Sequence, residues 1–332
     1  MTLIVTIATP RVVLQAGDRL LTRKSSAGEY ESFDPVSNKS ILYEAADGIF
    51  TLSYSGRAHI GTRTTDEWIA ATLDESVDQM FDDADPNPCA ISLTSGKSFR
   101  YSMTAVVDLL RRRLLELEDS VFEEYGIAIA MAGWAVHAPD GKPDLFELRR
   151  AARSKDVHVN GFKRRQWIGH NTVVSMIGSG YTNDVECFFG DRWTQIHSDP
   201  SMAAPERNTE YLQALQGALV DTIRQASATN PTVGANVHLN SLYAARGGQI
   251  TAVSEFFGVK RHPTLIRRPS SPIEVPDAAM TGWILLPTEI HAPSYLVGTK
   301  THKGNLTTIH QVGVVAERGP SFVFRSVERR RA

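Results

Sequence analysis

Thr2-Leu3-Ile4-Val5-Thr6-Ile7-Ala8, then Pro10-Arg11, then Val12-Val13-Leu14 running on to Gly17-Asp18, is the stretch that decides the architecture of this chain. β-Branched and apolar residues fill both runs and Pro10-Arg11 supplies a turn between them, so the stretch predicts two short strands. A polar segment from Arg23 to Asn38, carrying Pro35, reads as a loop. Ser40-Ile41-Leu42-Tyr43 and Ile49-Phe50-Thr51-Leu52-Ser53-Tyr54 are two further strands, and the Asp47-Gly48 pair between them is the strongest hairpin signal in the chain. Four strands without an intervening helix make the first segment antiparallel β.

The period then changes. Thr64 with Glu67 forms a capping box, and Ile69, Leu73, Val77 and Met80 follow at three- and four-residue spacing, which predicts a helix with one buried face. Beyond a loop with Pro86, Pro88 and Gly96, Ser102 can cap a second helix whose inner stripe is Val106, Leu110, Leu114 and Leu117. Arg111, Arg112 and Arg113 lie outside that stripe and read as a solvated face rather than an anion reader. A second β block follows, with Gly126 to Val136, a turn over His137 to Pro143, Leu145 to Leu148, and Val173 to Ile177. Asn208 to Ala228 is helical, ended by Asn230-Pro231. From Gly234 onward only strands and loops are read, with an irregular proline-rich and basic stretch from Lys260 to Pro276. The order β block, two helices, β block, helix, β predicts an α+β layered domain and not alternating βαβ units.

The chain has 332 residues, 42% hydrophobic and 22% charged, and 35 basic against 37 acidic side chains leave a net charge of −2. That balance is a poor footprint for nucleic-acid binding, which needs a concentrated basic surface. No run approaches the length of apolar chain that spans a bilayer. The first residues lack the basic flank and long apolar core of a signal peptide, so a cytoplasmic location is expected. Two cysteines, Cys89 and Cys187, exclude a disulfide framework and read as buried small hydrophobes. The ten histidines show no helical zinc spacing, and there is no nucleophile elbow, phosphate loop or dinucleotide fingerprint.

One group does carry chemistry. If Met1 is removed, Thr2 presents a hydroxyl and a free α-amine on one residue, and an amine with a pKa of about 8 can serve as base for that hydroxyl. A nearby cation would favour the alkoxide. Taken alone, Thr2 could equally be the first residue of an ordinary strand, Asp18 a turn residue, Lys39 a solvated loop lysine and Gly56 a turn glycine.

Together these residues resemble something specific. Thr2 to Ile7, Arg11 to Arg19, Asn38-Lys39-Ser40-Ile41 and Leu52-Ser53-Tyr54-Ser55-Gly56 are similar to the opening of a proteasome β-type subunit, a member of the N-terminal nucleophile (Ntn) hydrolases. The resemblance implies Thr2 as nucleophile with its α-amine as base, Lys39 as the electrostatic partner of the hydroxyl, Asp18 orienting that lysine, and the Gly56 N–H serving the oxyanion. Ile127 to Trp134 with Leu145 to Leu148 is similar to the family's central strand pair. Ile177-Gly178-Ser179-Gly180 resembles its Gly-Ser-Gly strand end, which implies Ser179 beside the terminal amine. The loop between Asp18 and Lys39 is several residues longer than in the family.

There is one departure. Where the family has an Asp, a Ser three residues on and a Gly pair, this chain has Asn230-Pro231-Thr232-Val233-Gly234-Ala235. The resemblance covers residues 2–242 and implies a four-layer αββα sandwich, leaving 243–332 as a C-terminal β-rich extension packed on the same domain. It implies a threonine-type peptidase or amidohydrolase acting on a peptide or amide substrate, self-associated as a homo-oligomer, with no cofactor, no nucleic acid and no membrane. The competing expectation, motivated by Asn230 and Val233, is a catalytically silent relative acting as a structural or interaction subunit.

Overall fold

The computed structural model describes residues 2–34, 39–45, 48–61, 63–73, 92–93, 101–135, 143–161, 172–199, 209–244 and 250–257, and beyond them strand segments between 283 and 325. In chain order the elements are β1 (Ile4–Ala8), β2 (Val12–Asp18), β3 (Leu21–Lys24), β4 (Tyr30–Asp34), β5 (Ser40–Glu44), β6 (Gly48–Gly56), β7 (His59–Ile60), β8 (Arg63–Thr64) and α1 (Thr65–Leu73). Next come β9 (Ser92–Leu93), α2 (Met103–Glu116), a 3-10 turn (Asp119–Phe122), β10 (Ile127–Ala135), β11 (Asp144–Arg150), β12 (Val157–Gly161), β13 (Val173–Ile177), α3 (Asn183–Ser198) and α4 (Thr209–Thr229). The last are β14 (Val237–Ala244), β15 (Ile250–Phe257), β16 (Trp283–Leu285), β17 (Ile290–His291), β18 (Lys300–Lys303), β19 (Leu306–Gln311), β20 (Val314–Val315) and β21 (Gly319–Arg325).

Two large sheets result. The first runs β13-β1-β2-β14-β15-β21-β19-β18 with β20 beside β21, and the second runs β12-β11-β10-β6-β5-β16-β17-β9. Pairings are antiparallel except β16, which lies parallel to β5. This is an α+β chain, as the segregation of strand and helix patterns predicts.

Side-chain alternation explains why every residue of β1 and β2 is buried. Leu3, Val5, Ile7, Val12, Leu14 and Ala16 form one face and pack with Phe189 and Trp193 of α3 and Leu215, Leu219 and Ile223 of α4. The other face turns toward the second sheet, where Ile4 meets Ala130 and Gln15 donates to the Ala130 carbonyl. The second sheet mirrors this. Phe50, Leu52, Tyr54, Ile127, Ile129 and Met131 share a core with Ile69 and Leu73 of α1 and Val106, Leu110 and Leu114 of α2. The intervening positions in β6 and β10 are Thr51, Ser53, Ser55, Ala128, Ala130 and Ala132, small groups that let the two sheets approach.

Several helix expectations meet the structure directly. Ser102 caps α2, its hydroxyl accepting from Ala105 N at 3.2 Å, and Arg111, Arg112 and Arg113 face solvent. Helix α1 is described only to Leu73, so Val77 and Met80 lie outside the described residues, as do Asn208, Cys89 and the turn over 137–142. Cys187 is exposed on α3 instead of buried, because the inward stripe of that helix is Val185, Phe189 and Trp193.

Two elements depart from the sequence reading. Of the segment 23–38, expected as loop, the described residues 23–34 contribute to the β3–β4 hairpin, closed by Ser25 N–H to the Glu29 carbonyl at 2.7 Å and Gly28 N–H to the Ser25 carbonyl at 3.0 Å. Turn chemistry makes this hairpin, with no apolar alternation to announce it. Helix α3 has no counterpart among the elements that the sequence predicts. Its three buried residues at i, i+4 and i+8 are a stripe too thin to show among Asp184, Glu186, Asp191 and Arg192, yet Thr182 caps it by accepting from Val185 N at 3.3 Å. Among the described residues no helix is long and apolar enough to cross a membrane.

His238 on β14 adds a pH dependence. Burial, reinforced by the charge of Arg19 and opposed by a hydrogen bond with Asn240, pushes its pKa down to about 3 from an ordinary 6.5. Between those values the unfolded chain takes up a proton that the folded chain refuses, so stability falls as pH drops from about 6.5 toward 3, by up to about 1.4 kcal/mol per pH unit. Urea midpoints at pH 7 and pH 5 check this: His238→Asn is expected to lose less stability between the two than the wild type.

Candidate active site

The first strand pair carries the site to its own end. The register Ile4↔Gly17 sets Leu3 beside Asp18, and the two residues exchange bonds: Asp18 N–H donates to the Leu3 carbonyl at 3.2 Å, and Leu3 N–H donates to Asp18 Oδ1 at 2.9 Å. Asp18 Oδ2 accepts from Leu20 N–H at 3.1 Å and from Gly234 N–H at 3.0 Å. A carboxylate that accepts from three backbone donors has a fixed position.

Lys39 stands just before β5 and reaches across to the same point. Its Nζ donates to Thr2 Oγ1 at 2.7 Å, to Asp18 Oδ2 at 3.1 Å and to the Leu20 carbonyl at 2.5 Å. Three acceptors match the three N–H bonds of an ammonium. Thr2, Asp18 and Lys39 are 2%, 0% and 1% exposed. A buried lysine in this setting is held as a cation by one carboxylate and two neutral oxygens, and its charge lies directly against the threonine hydroxyl. That is the arrangement that favours an alkoxide at Thr2 Oγ1.

The Gly178–Gly180 turn grips the same residue from the other side. Gly180 N–H donates to the Thr2 carbonyl at 3.2 Å. Gly178 has φ +110°, and a Cβ there would sit 1.9 Å from the Thr2 carbonyl oxygen and 2.8 Å from Ser55 Oγ. Ser179 is exposed and joins the site through its backbone, its carbonyl accepting from Asn230 Nδ2 at 3.5 Å. Gly56 ends β6 with φ +100°, and a Cβ there would meet the Gly126 carbonyl oxygen at 2.2 Å. The structure thus brings Thr2, Asp18 and Lys39 into direct contact, with Gly56 at the end of the strand paired to Lys39's strand and Ser179 in the turn that holds Thr2.

The departure at Asn230 acquires a local role. Asn230 Oδ1 accepts from Thr232 N–H at 3.0 Å and Thr232 Oγ1 at 2.5 Å, which leaves Nδ2 facing Ser179. Val233 is buried, and it fills space against Gly180. Asn230→Asp is expected to set an oxygen against the Ser179 carbonyl and to cost about 1 kcal/mol; urea denaturation against wild type measures it.

The site members that the sequence did not reveal are backbone groups: the Leu3, Leu20, Gly180 and Gly234 amides and the Leu20 carbonyl. Backbone groups have no residue-type signature, although Gly234 marks a close approach, since a Cβ there would meet Leu20 Cβ at 2.6 Å. Among the described residues no group of three or more His, Cys, Asp or Glu side chains stands together as a metal site.

No protein-family model matches the chain, and no curated protein does. Among solved structures it is similar to Anbu (ancestral beta-subunit) from Yersinia bercovieri, at 10% identity and TM-score 0.41 over 73% of this chain and 81% of that one. It is also similar to a mutant of Anbu from Hyphomicrobium sp. strain MC1, at 12% identity and TM-score 0.38 over 72% and 80% of the two chains. The likeness to Anbu from the same strain is at 13% identity and TM-score 0.38, over 73% and 82%.

Proposed function

We propose that the chain is an amide-bond hydrolase with an N-terminal threonine nucleophile, a proteasome β-subunit-like Ntn hydrolase. Its architecture in this reading is a four-layer αββα sandwich, with residues 243–332 an extension packed on the same domain. The pairing of β15 with β14 and of β16 with β5 supports that packing. The observation that carries the functional reading is Lys39 Nζ at 2.7 Å from Thr2 Oγ1, with Asp18 behind the lysine.

Removal of Met1 frees the Thr2 amine. The hydroxyl then attacks the carbonyl of a peptide or amide substrate while the α-amine accepts its proton, and Lys39 stabilises negative charge on Oγ1. The oxyanion is received by the Gly56 N–H. The amine returns the proton to the leaving nitrogen, and water releases the acyl group from Thr2. Ser179 supports the amine, and no cofactor is required. The enzyme works in the cytoplasm as a homo-oligomer.

Intact-mass measurement after exposure to a β-lactone or epoxyketone probe tests this. The expected result is loss of Met1 followed by one probe mass per chain, absent in Thr2→Ala. Retention of Met1, or a processed chain that gains no mass under conditions that label a proteasome, overturns it. That second outcome favours the silent structural relative, the reading to which Asn230 and buried Val233 point.

A further inference from the structure

The interior between the two sheets holds a line of polar groups that the proposed chemistry does not use. Gln15 is 0% exposed, on β2, three residues before Asp18. Its Nε2 donates to Thr6 Oγ1 at 3.2 Å and to the Ala130 carbonyl at 3.3 Å. Its Oε1 accepts from Thr51 Oγ1 at 3.0 Å and Ser53 Oγ at 2.7 Å. Ser53 Oγ lies 2.6 Å from Ser40 Oγ, and Asn240 Nδ2 donates to Thr51 Oγ1 at 2.9 Å. The registers align these groups: Thr6, Gln15 and Asn240 are direct partners across the first sheet, and Ser40, Ser53 and Ala130 across the second.

The direction of every bond is forced. The Ala130 carbonyl can only accept, so the amide nitrogen faces it and the amide oxygen faces Thr51 and Ser53. Ser53 spends its proton on Gln15, so Ser40 is the donor in the Ser40–Ser53 pair. One glutamine therefore has all four of its hydrogen-bonding positions filled, from both sheets, and an amide of this shape is the only common side chain that supplies two donors and two acceptor sites at once.

We propose that Gln15 is a positioning residue that sets the slide of one sheet over the other, and through it the approach of Lys39 to Thr2. The inference rests on Thr2 being the nucleophile for its catalytic consequence, and on geometry alone for the positioning itself. Gln15 shares β2 with Asp18, while its partner Ser53 shares β6 with Gly56 and is bonded to Ser40, the neighbour of Lys39. Each of these lies within three residues of the network, about 10 Å along a strand. Around the network the second sheet presents mostly small groups, Ser55 and the alanines of β10, against which Ile4 and Ile177 of the first sheet pack. Hydrogen bonds are directional where apolar contacts on alanine are not, so the network specifies the slide more sharply than this packing does. A displacement of about 1 Å at a reacting atom can cost about 100-fold in rate.

The test compares Gln15→Met with the triple variant Gln15→Met, Thr51→Val, Ser53→Ala, in which the stranded hydroxyls are also removed. A purely structural role predicts that the triple variant recovers both stability and wild-type labelling. The positioning role predicts that it recovers urea stability but labels at Thr2 at least tenfold more slowly, with Lys39 Nζ beyond hydrogen-bonding reach of Thr2 Oγ1 in its crystal structure. A wild-type labelling rate with an unchanged Lys39–Thr2 separation overturns the inference. If wild type itself is not labelled, the nucleophile reading fails, and the Lys39–Thr2 separation in the variant still decides the positioning: unchanged overturns it, lengthened supports it. Gln15→Glu is a second, more conservative probe. Thr6, Thr51, Ser53 and the Ala130 carbonyl around position 15 are uncharged, and His238, on the same face of β14 as Asn240, is kept neutral by its burial down to about pH 3, so the new carboxyl is what titrates there. Its neutral form can still donate to Ala130, and its ionised form cannot. Labelling of this variant is expected to fall relative to wild type as pH rises, and a wild-type pH profile overturns the inference.

Discussion

Lys39→Met is expected to slow covalent labelling of Thr2 by about 100- to 1,000-fold, the effect of removing one preorganised electrostatic group from a water-excluded site. The methionine keeps most of the length of the side chain and none of its charge. Asp18 would remain fully buried, with its three backbone donors but without the ammonium 3.1 Å away. Breaking a buried ion pair costs about 3–5 kcal/mol when one charge is left behind, and the three N–H donors place this case at the lower end. Asp18→Ala is the harsher half of the pair, because it removes the carboxylate that lies 3.1 Å from a buried ammonium, which also donates to two neutral oxygens, Thr2 Oγ1 and the Leu20 carbonyl. Labelling rates by intact mass and urea midpoints measured on the same samples separate the electrostatic effect from unfolding. Lys39→Met labelled within twofold of wild type would remove the lysine from the site.

Gly178→Ala is expected to abolish labelling and to destabilise the fold by several kcal/mol. Two independent penalties act at once. The backbone at φ +110° is one that side-chain-bearing residues adopt at a cost of about 1–3 kcal/mol. The new methyl group would also lie 1.9 Å from the Thr2 carbonyl oxygen, which is backbone and cannot swing aside. Relief requires Thr2 or the 178–180 turn to move, and either motion breaks the Gly180 N–H bond that holds Thr2 in place. Thermal unfolding and probe labelling both read the result. A variant with wild-type stability and labelling would show that this turn does not hold Thr2.

Much of the fold was legible because local patterns coincide with tertiary roles. The alternation Phe50-Thr51-Leu52-Ser53-Tyr54 reads as a strand from the sequence, and in the structure its apolar half packs on helices and its polar half faces the other sheet. Ser102 signals the start of α2 by its position alone. Helix α3 and the β3–β4 hairpin escaped for opposite reasons. The helix buries so narrow a stripe that its period is lost among charges, and the hairpin is closed by turn hydrogen bonds within a polar run that carries no strand alternation.

Residue order alone establishes which chemical groups exist and where along the chain: a threonine hydroxyl at position 2, a carboxylate at 18, an amine at 39, and glycines where backbone must pass close to backbone. That Lys39 touches Thr2, that the Leu3, Leu20 and Gly234 amides converge on Asp18, and that Gln15 bonds to both sheets emerges from the folded arrangement. Those contacts join residues as far apart as Asp18 and Gly234, and several use the peptide group, which is the same at every position. Their distances follow from strand register and from how the two sheets are stacked, and those are set by the packing of the whole chain.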